Sequence, residues 1–197
     1  YDGYGQWRLS DEADLPELKN ALQGLDLQTV PLVVEKMVAF DRELSLIGVR
    51  NANGDVRTYP LAENLHHQGQ LHVSVAPATN VDDALQAQAH DIFVKLAEGM
   101  NYVGVLAVEL FQVGDKLLVN ELAPRVHNSG HWTHEGADWS QFDLHVHALA
   151  GVPLHALNVH GSSAMVNLIG TPFENAWLQH PGVVHWYGKS VRPGRKV

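Results

Sequence analysis

Alternating apolar and polar positions mark two early stretches, Leu32 to Val38 and Glu43 to Arg50, as strands. Asp55 to Pro60 and Gln70 to Ala76 are shorter strand candidates. From Val81 to Gly99 the period changes. Leu85, Ala89, Ile92, Phe93 and Leu96 recur at helical spacing, with Asn80 placed to cap the helix and Gly99 to end it. Tyr102 to Val113 and Lys116 to Leu122 are β-rich apolar runs separated by Gly114-Asp115, which predicts a hairpin. A second helix is expected over Asp138 to Ala150, started by Asp138 and closed by Gly151 ahead of Pro153. Ser163 to Ile169 and Val183 to Tyr187 are further strand candidates. Strand pairs mixed with isolated helices predict an α+β fold, an antiparallel or mixed sheet with helices packed on it. No repeat or low-complexity tract interrupts the chain, and a boundary is expected near Trp132 to Gly136, dividing 1–133 from 134–197.

The predicted hairpin carries chemistry. Glu109 is the only charge in its apolar strand. A two-residue loop pairs Val113 with Lys116 and sets Glu109 opposite Asn120. One more loop residue sets Glu109 opposite Glu121. Either register lines up acidic and amide oxygens, and opposed like charges destabilise a sheet. A cation between them removes the conflict, and hard oxygen ligands suit Mg²⁺ shared with phosphates. The alternative is a Glu109 that points to solvent.

Directly after the hairpin, Asn120 to Thr133 (NELAPRVHNSGHWT) packs an amide, a carboxylate, a guanidinium and two imidazoles into fourteen residues. Each such group costs free energy to bury unpaired, so this density suits a reactive loop carried on a rigid strand. His127 is read as a substrate-contacting group. Tyr1-Asp-Gly-Tyr-Gly-Gln-Trp-Arg8 has two glycines spaced to let backbone approach a phosphate. At the other end, Lys189, Arg192, Arg195 and Lys196 gather four of the thirteen lysines and arginines within eight positions. On a chain of net charge -9, that cluster fits a pocket for a small anion.

Composition narrows the classes. An acidic chain of 197 residues argues against general nucleic-acid binding. With no cysteine there is no disulfide frame, thiolate zinc site or cysteine nucleophile. The thirteen histidines suggest zinc, but His145 and His147 point to different sides of a helix and cannot chelate together. No leader precedes Tyr1 and no apolar run approaches a membrane span, so a cytoplasmic protein without membrane contact is expected. The chain also reads as cut from something longer.

Four motifs in order, Tyr1-Asp-Gly-x-Gly-Gln-Trp, Asn120 to Thr133, Gln141-Phe-Asp-x-His145 and Arg192-Pro-Gly-Arg-Lys196, resemble the N5-carboxyaminoimidazole ribonucleotide synthetase family of ATP-grasp enzymes. The resemblance implies an ATP-grasp domain and a small C-terminal β-rich domain. It implies an ATP- and bicarbonate-dependent ligase of purine biosynthesis that carboxylates 5-aminoimidazole ribonucleotide with Mg²⁺. It also implies a homodimer and a missing N-terminal portion without which this chain is inactive.

By the same resemblance, Glu35, Lys36 and Val38 hold adenine, Glu43 the ribose, and His66 another part of the nucleotide. Glu109 and Glu121 hold Mg²⁺ with Asn120 beside them. Arg125 and His127 serve the bicarbonate and ribonucleotide site, Tyr1 and Asp2 belong to the lid, and Lys189, Arg195 and Lys196 clamp the 5′-phosphate. The family usually has Arg or Lys where this chain has Tyr4, so a charge role there is lost or moved to Arg8. A formate-using ATP-grasp ligase and a non-catalytic fragment are the alternatives.

Overall fold

The computed structural model describes residues 6–26, 28–29 and 31–197, which form two compact units, Tyr1–Ala39 and Phe40–Val197. In the first unit, a short 3-10 turn at Glu12–Asp14 is capped by Asp11 and leads into α1, Leu15–Leu22, with Pro16 in its first turn. The strand expected over Leu32 to Val38 is absent, and that stretch has no regular structure. Val33 and Val34 are 83% and 93% exposed. A strand exists only as part of a ladder, and no described strand pairs with this one.

The second unit holds a seven-stranded antiparallel sheet. Its strands are β1 (Arg42–Arg50), β2 (Val56–Thr58), β3 (Ala62–His67), β4 (Gln70–Ala76), β5 (Gly104–Val113), β6 (Lys116–Ala123) and β7 (Ser163–Val166). The order is β6-β5-β1-β3-β4-β7, with β2 also on β1. β1 and β5 share the longest ladder, from Arg42↔Gln112 to Arg50↔Gly104. The helices are α2 (Asp83–Gly99), a single turn α3 (Thr133–Gly136) and α4 (Gln141–Ala150).

Pleating gives each face of the sheet its own core. Leu44, Leu46, Leu106, Val108 and Leu110 pack under Leu85, Ala89, Phe93 and Ala97, which repeat every four residues on α2. Ile47, Val49, Val105 and Ala107 pack on the other face beneath Leu144 and Ala148 of α4, with Trp132 and Tyr59 closing the side. The second face becomes polar further along β5, where the odd-numbered series reaches Glu109.

Several boundaries differ from the sequence reading. Asp82, not Asn80, caps α2, its carboxylate accepting the Leu85 amide at 2.8 Å. Asn80 sits in the left-handed region at φ 52° in the preceding turn. Ser140, not Asp138, starts α4 through a capping box with Asp143. Asp138 instead accepts from Asn158 and meets His160, tying down the chain after α4. Gly151 closes α4 at φ 70°, as expected. Periodicity does not reveal β3, because its inward-facing series includes the polar Asn64 while Leu65 beside it is 53% exposed. The bulge in this ladder falls on β4, where His72 is left unpaired. Ser163 to Ile169 stops as a strand at Val166. Val183 to Tyr187 forms none: Trp186 leaves the chain to pack against Phe173 and Trp177.

Phe93 is fully buried, and its ring lies so close to Gly48 that a Cβ there would sit 2.6 Å away. Phe93→Ala is expected to cost about 3–5 kcal/mol, read as a lower urea midpoint with an unchanged slope.

Candidate functional site

The hairpin's two candidate registers are resolved in an unforeseen way. Val113 pairs with Lys116 across a two-residue loop, the register that would bring Asn120 to Glu109. Between Glu109 and Leu110 the ladder shifts. Leu110 pairs with Val119 and Glu109 with Glu121, leaving Asn120 as the extra residue of a β-bulge. The bulge turns Glu121 onto the face that carries Glu109. On β1, Ser45 lies opposite Glu109, and two residues away Glu43 pairs with Asn64 of β3.

His66 Nδ1 lies 2.6 Å from Glu43 Oε2, in a geometry that leaves this buried nitrogen without a hydrogen-bond partner. His127 Nε2 lies 3.2 Å from Glu109 Oε1. Lys196 reaches the same place from the chain's far end, where an antiparallel bridge to Ile169 fixes it. Its charge acts on both Glu109 and His127. Beneath the cluster, the Ser74 hydroxyl donates to Asn64 Oδ1 at 2.7 Å.

Burial raises the Glu109 pKa, and Glu121 and Glu43 push the same way, while His66 and Lys196 pull it down. The His127 pKa falls to about 4, first from burial and then from Arg125, Lys196 and neighbouring histidines. The contact with Glu109 therefore involves a neutral imidazole at neutral pH. Ser129 N donates to His127 Nδ1, so the hydrogen-bond network assigns the ring proton to Nε2, facing Glu109.

The other expected residues divide. Asn120 and Glu121 are exposed on the bulge, and Arg125 is exposed with Nη1 donating to the Val126 carbonyl. Lys189 Nζ approaches the Lys196 carbonyl at 3.4 Å, and Arg195 donates to Ser190 Oγ at 2.7 Å. Glu35, Lys36 and Val38 lie in the first unit, on chain without regular structure. Tyr1, Asp2 and Tyr4 lie outside the described residues. Sequence reasoning gave no role to Ser129, Ser45 or the Asn64–Ser74 pair. Their only signal was small polar residues at positions that proved fully or almost fully buried.

A family model for the ATP-grasp domain matches residues 1–142. The chain belongs to the ATP-grasp family. A model for the phosphoribosylaminoimidazole carboxylase C-terminal domain matches 163–197 of this ATP-grasp chain. N5-carboxyaminoimidazole ribonucleotide synthase of Vibrio cholerae serotype O1 is 49% identical over 205 residues, spanning all of this chain and 52% of that protein. The crystal structure of N5-carboxyaminoimidazole ribonucleotide synthetase from Thermus thermophilus matches with a TM-score of 0.83 and 51% identity, over 91% of this chain and 51% of its own. The Aspergillus clavatus N5-carboxyaminoimidazole synthase in complex with ADP and 5-aminoimidazole ribonucleotide matches with a TM-score of 0.86 and 34% identity, over 98% and 53%. The chain thus spans about half the length of the curated relatives it matches.

The largely buried His127 ring is expected to titrate near pH 4 by heteronuclear NMR. A midpoint near the ordinary 6.5 would contradict the assigned burial. The unfolded chain takes up this proton first, so His127 makes stability fall as pH drops from 6.5 toward about 4. Glu109, with its raised pKa, acts in the opposite direction.

Proposed function

We propose that this chain is part of an ATP-grasp ligase that uses ATP and bicarbonate to carboxylate 5-aminoimidazole ribonucleotide to N5-carboxyaminoimidazole ribonucleotide, in purine biosynthesis. The observation that carries the reading is the convergence of Glu43, His66, Glu109, Glu121, His127 and Lys196 from separate segments of the chain. The synthase relatives cover the whole chain, and one is a complex with ADP and 5-aminoimidazole ribonucleotide. On this reading residues 1–133 are the C-terminal part of the ATP-grasp domain and 134–197 the small C-terminal domain. The protein works in the cytoplasm as a homodimer, completed by an N-terminal portion. No helix among the described residues is long and apolar enough to cross a membrane.

Glu109 and Glu121 fit Mg²⁺: they are opposed carboxylates on one face of the hairpin, and the Glu109 pKa is raised first by burial, with Glu121 adding to the rise. When bound, the metal neutralises charge on the phosphates of ATP. Asn120 offers an amide oxygen beside them. Glu43 meets His66 through one oxygen and keeps the other for a ribose hydroxyl, while His66 adds a nucleotide contact. Glu35, Lys36 and Val38 take the adenine.

Phosphoryl transfer to bicarbonate gives carboxyphosphate, and the amine of the ribonucleotide takes the carboxyl group as phosphate leaves. Arg125 and His127 orient bicarbonate and the ribonucleotide. The neutral His127 directs its Nε2–H at Glu109 and adds no competing charge to the site. Lys189, Arg195 and Lys196 bind the 5′-phosphate, and Tyr1 and Asp2 close over the site to exclude water.

In the complete enzyme, labelled bicarbonate is expected to enter the ribonucleotide with one ADP formed per turnover. Incorporation of labelled formate instead would overturn the reading. Glu121→Gln is expected to abolish turnover while the fold persists by circular dichroism. Full activity at ordinary Mg²⁺ would remove Glu121 from the metal site. Arg195→Ala is expected to raise the KM for the ribonucleotide by about one to two decades and leave that for ATP nearly unchanged. An equal loss for both substrates would indicate a folding role.

A further inference from the structure

We propose that Gln141 is a positioning residue that holds His127 against Glu109 by gripping the backbone of His127 from both sides. The proposal rests on the functional reading above and adds a residue that the reading does not use. Gln141 is fully buried at the first turn of α4. Its Oε1 accepts the His127 amide at 2.9 Å, and its Nε2 donates to the His127 carbonyl at 2.7 Å. Nε2 also lies 3.3 Å from His131 Nδ1. The backbone of Gln141 joins in: its N–H donates to Thr133 Oγ1 at 3.0 Å, and that hydroxyl donates to the Gly130 carbonyl at 2.6 Å.

A buried amide costs free energy unless both its ends are satisfied. Here one residue's backbone satisfies both ends, and that residue carries the ring facing Glu109. The space is built around the amide: a Cβ on Gly130 would lie 2.5 Å from Gln141 Oε1. On the far side of the turn, buried Ser129 places Oγ 2.8 Å from His127 Nδ1, so backbone and ring are held together. With the grip removed, the turn over residues 127–130 is free to shift, and the ring no longer has a single contact to Glu109. Displacement of a substrate-orienting group by about 1 Å can cost about 100-fold in rate. ATP consumption also uses bicarbonate that His127 helps to orient, but it falls less, because carboxyphosphate that forms out of line with the ribonucleotide's amine is lost to water as bicarbonate and phosphate. The expected signature is uncoupling.

The test uses the complete enzyme with Gln141→Met, which keeps length and loses both bonds. Gln141→Glu serves as a second variant, keeping the acceptor for the His127 amide and losing the donor. Three quantities are read: KM for ATP, ADP formed per ribonucleotide carboxylated, and the His127 ring tautomer by long-range ¹H–¹⁵N correlation. The expected result is a KM for ATP near wild type and carboxylation down by about 10- to 100-fold. ADP per product should rise above one, and the Nε2–H tautomer should give way to a mixture. A merely structural role would lower both activities together and leave their ratio at one. If Gln141→Met fails to fold, Gln141→Glu decides by the same ratio and tautomer. Wild-type coupling together with an unchanged tautomer in the folded variant overturns the proposal. If the wild-type enzyme shows no bicarbonate-dependent ADP formation, the functional reading fails, and the tautomer alone decides whether Gln141 positions His127.

Discussion

One extra residue in a β-ladder decides which side chains meet at the site. Without the bulge, the two-residue turn at Gly114-Asp115 would pair Glu109 with Asn120 and aim Glu121 toward the face packed by α2. With Asn120 left unpaired, Glu121 joins Glu109 on the opposite face. Two opposed carboxylates are unfavourable in a sheet; the Glu109 pKa is raised mainly by burial, and Glu121 pushes it the same way. The fold tolerates the arrangement because β5 is anchored along its length to β1 and packed on both faces.

The two faces of that sheet have different tasks. The face under α2 is uniformly apolar, so the ladder is rigid where the chemistry needs a fixed base. The other face is apolar under α4 and turns polar toward Glu109, where Glu43, His66, His127 and Lys196 gather. β7 joins the same sheet beside β4, and the Ile169–Lys196 bridge continues the tie between the C-terminal segment and the site. Lys196 is consequently part of the electrostatics of a hairpin more than seventy positions earlier in the chain.

What the sequence disclosed follows what local physics controls. Periodicity sufficed for β1, β4, α2 and the β5–β6 hairpin, whose apolar residues stand out in sequence even though β4 and β6 each carry the extra residue of a bulge. It over-read Leu32 to Val38, where alternation is present but no partner strand is found among the described residues. It missed β3, whose buried position Asn64 is polar and whose Leu65 is exposed, and it missed the bulge at Asn120, since a bulge is a property of a pair. The acidic pair itself was legible as two alternatives, and only pairing could choose between them. His127 was legible as chemistry, but its support by Ser129 and Gln141 was not. The Gln141 contacts join a loop to the first turn of a helix more than ten positions on, and nothing in spacing records them.

The central claim is that the bulge builds a divalent-cation site from Glu109 and Glu121. Anomalous diffraction from crystals of the complete enzyme, grown with Mn²⁺ and a non-hydrolysable ATP analogue, tests it most directly. The account predicts an anomalous peak within coordinating distance of both carboxylates and of the analogue's phosphates. A peak that touches neither carboxylate, or nucleotide bound in that site with no metal beside Glu109 and Glu121, would contradict it.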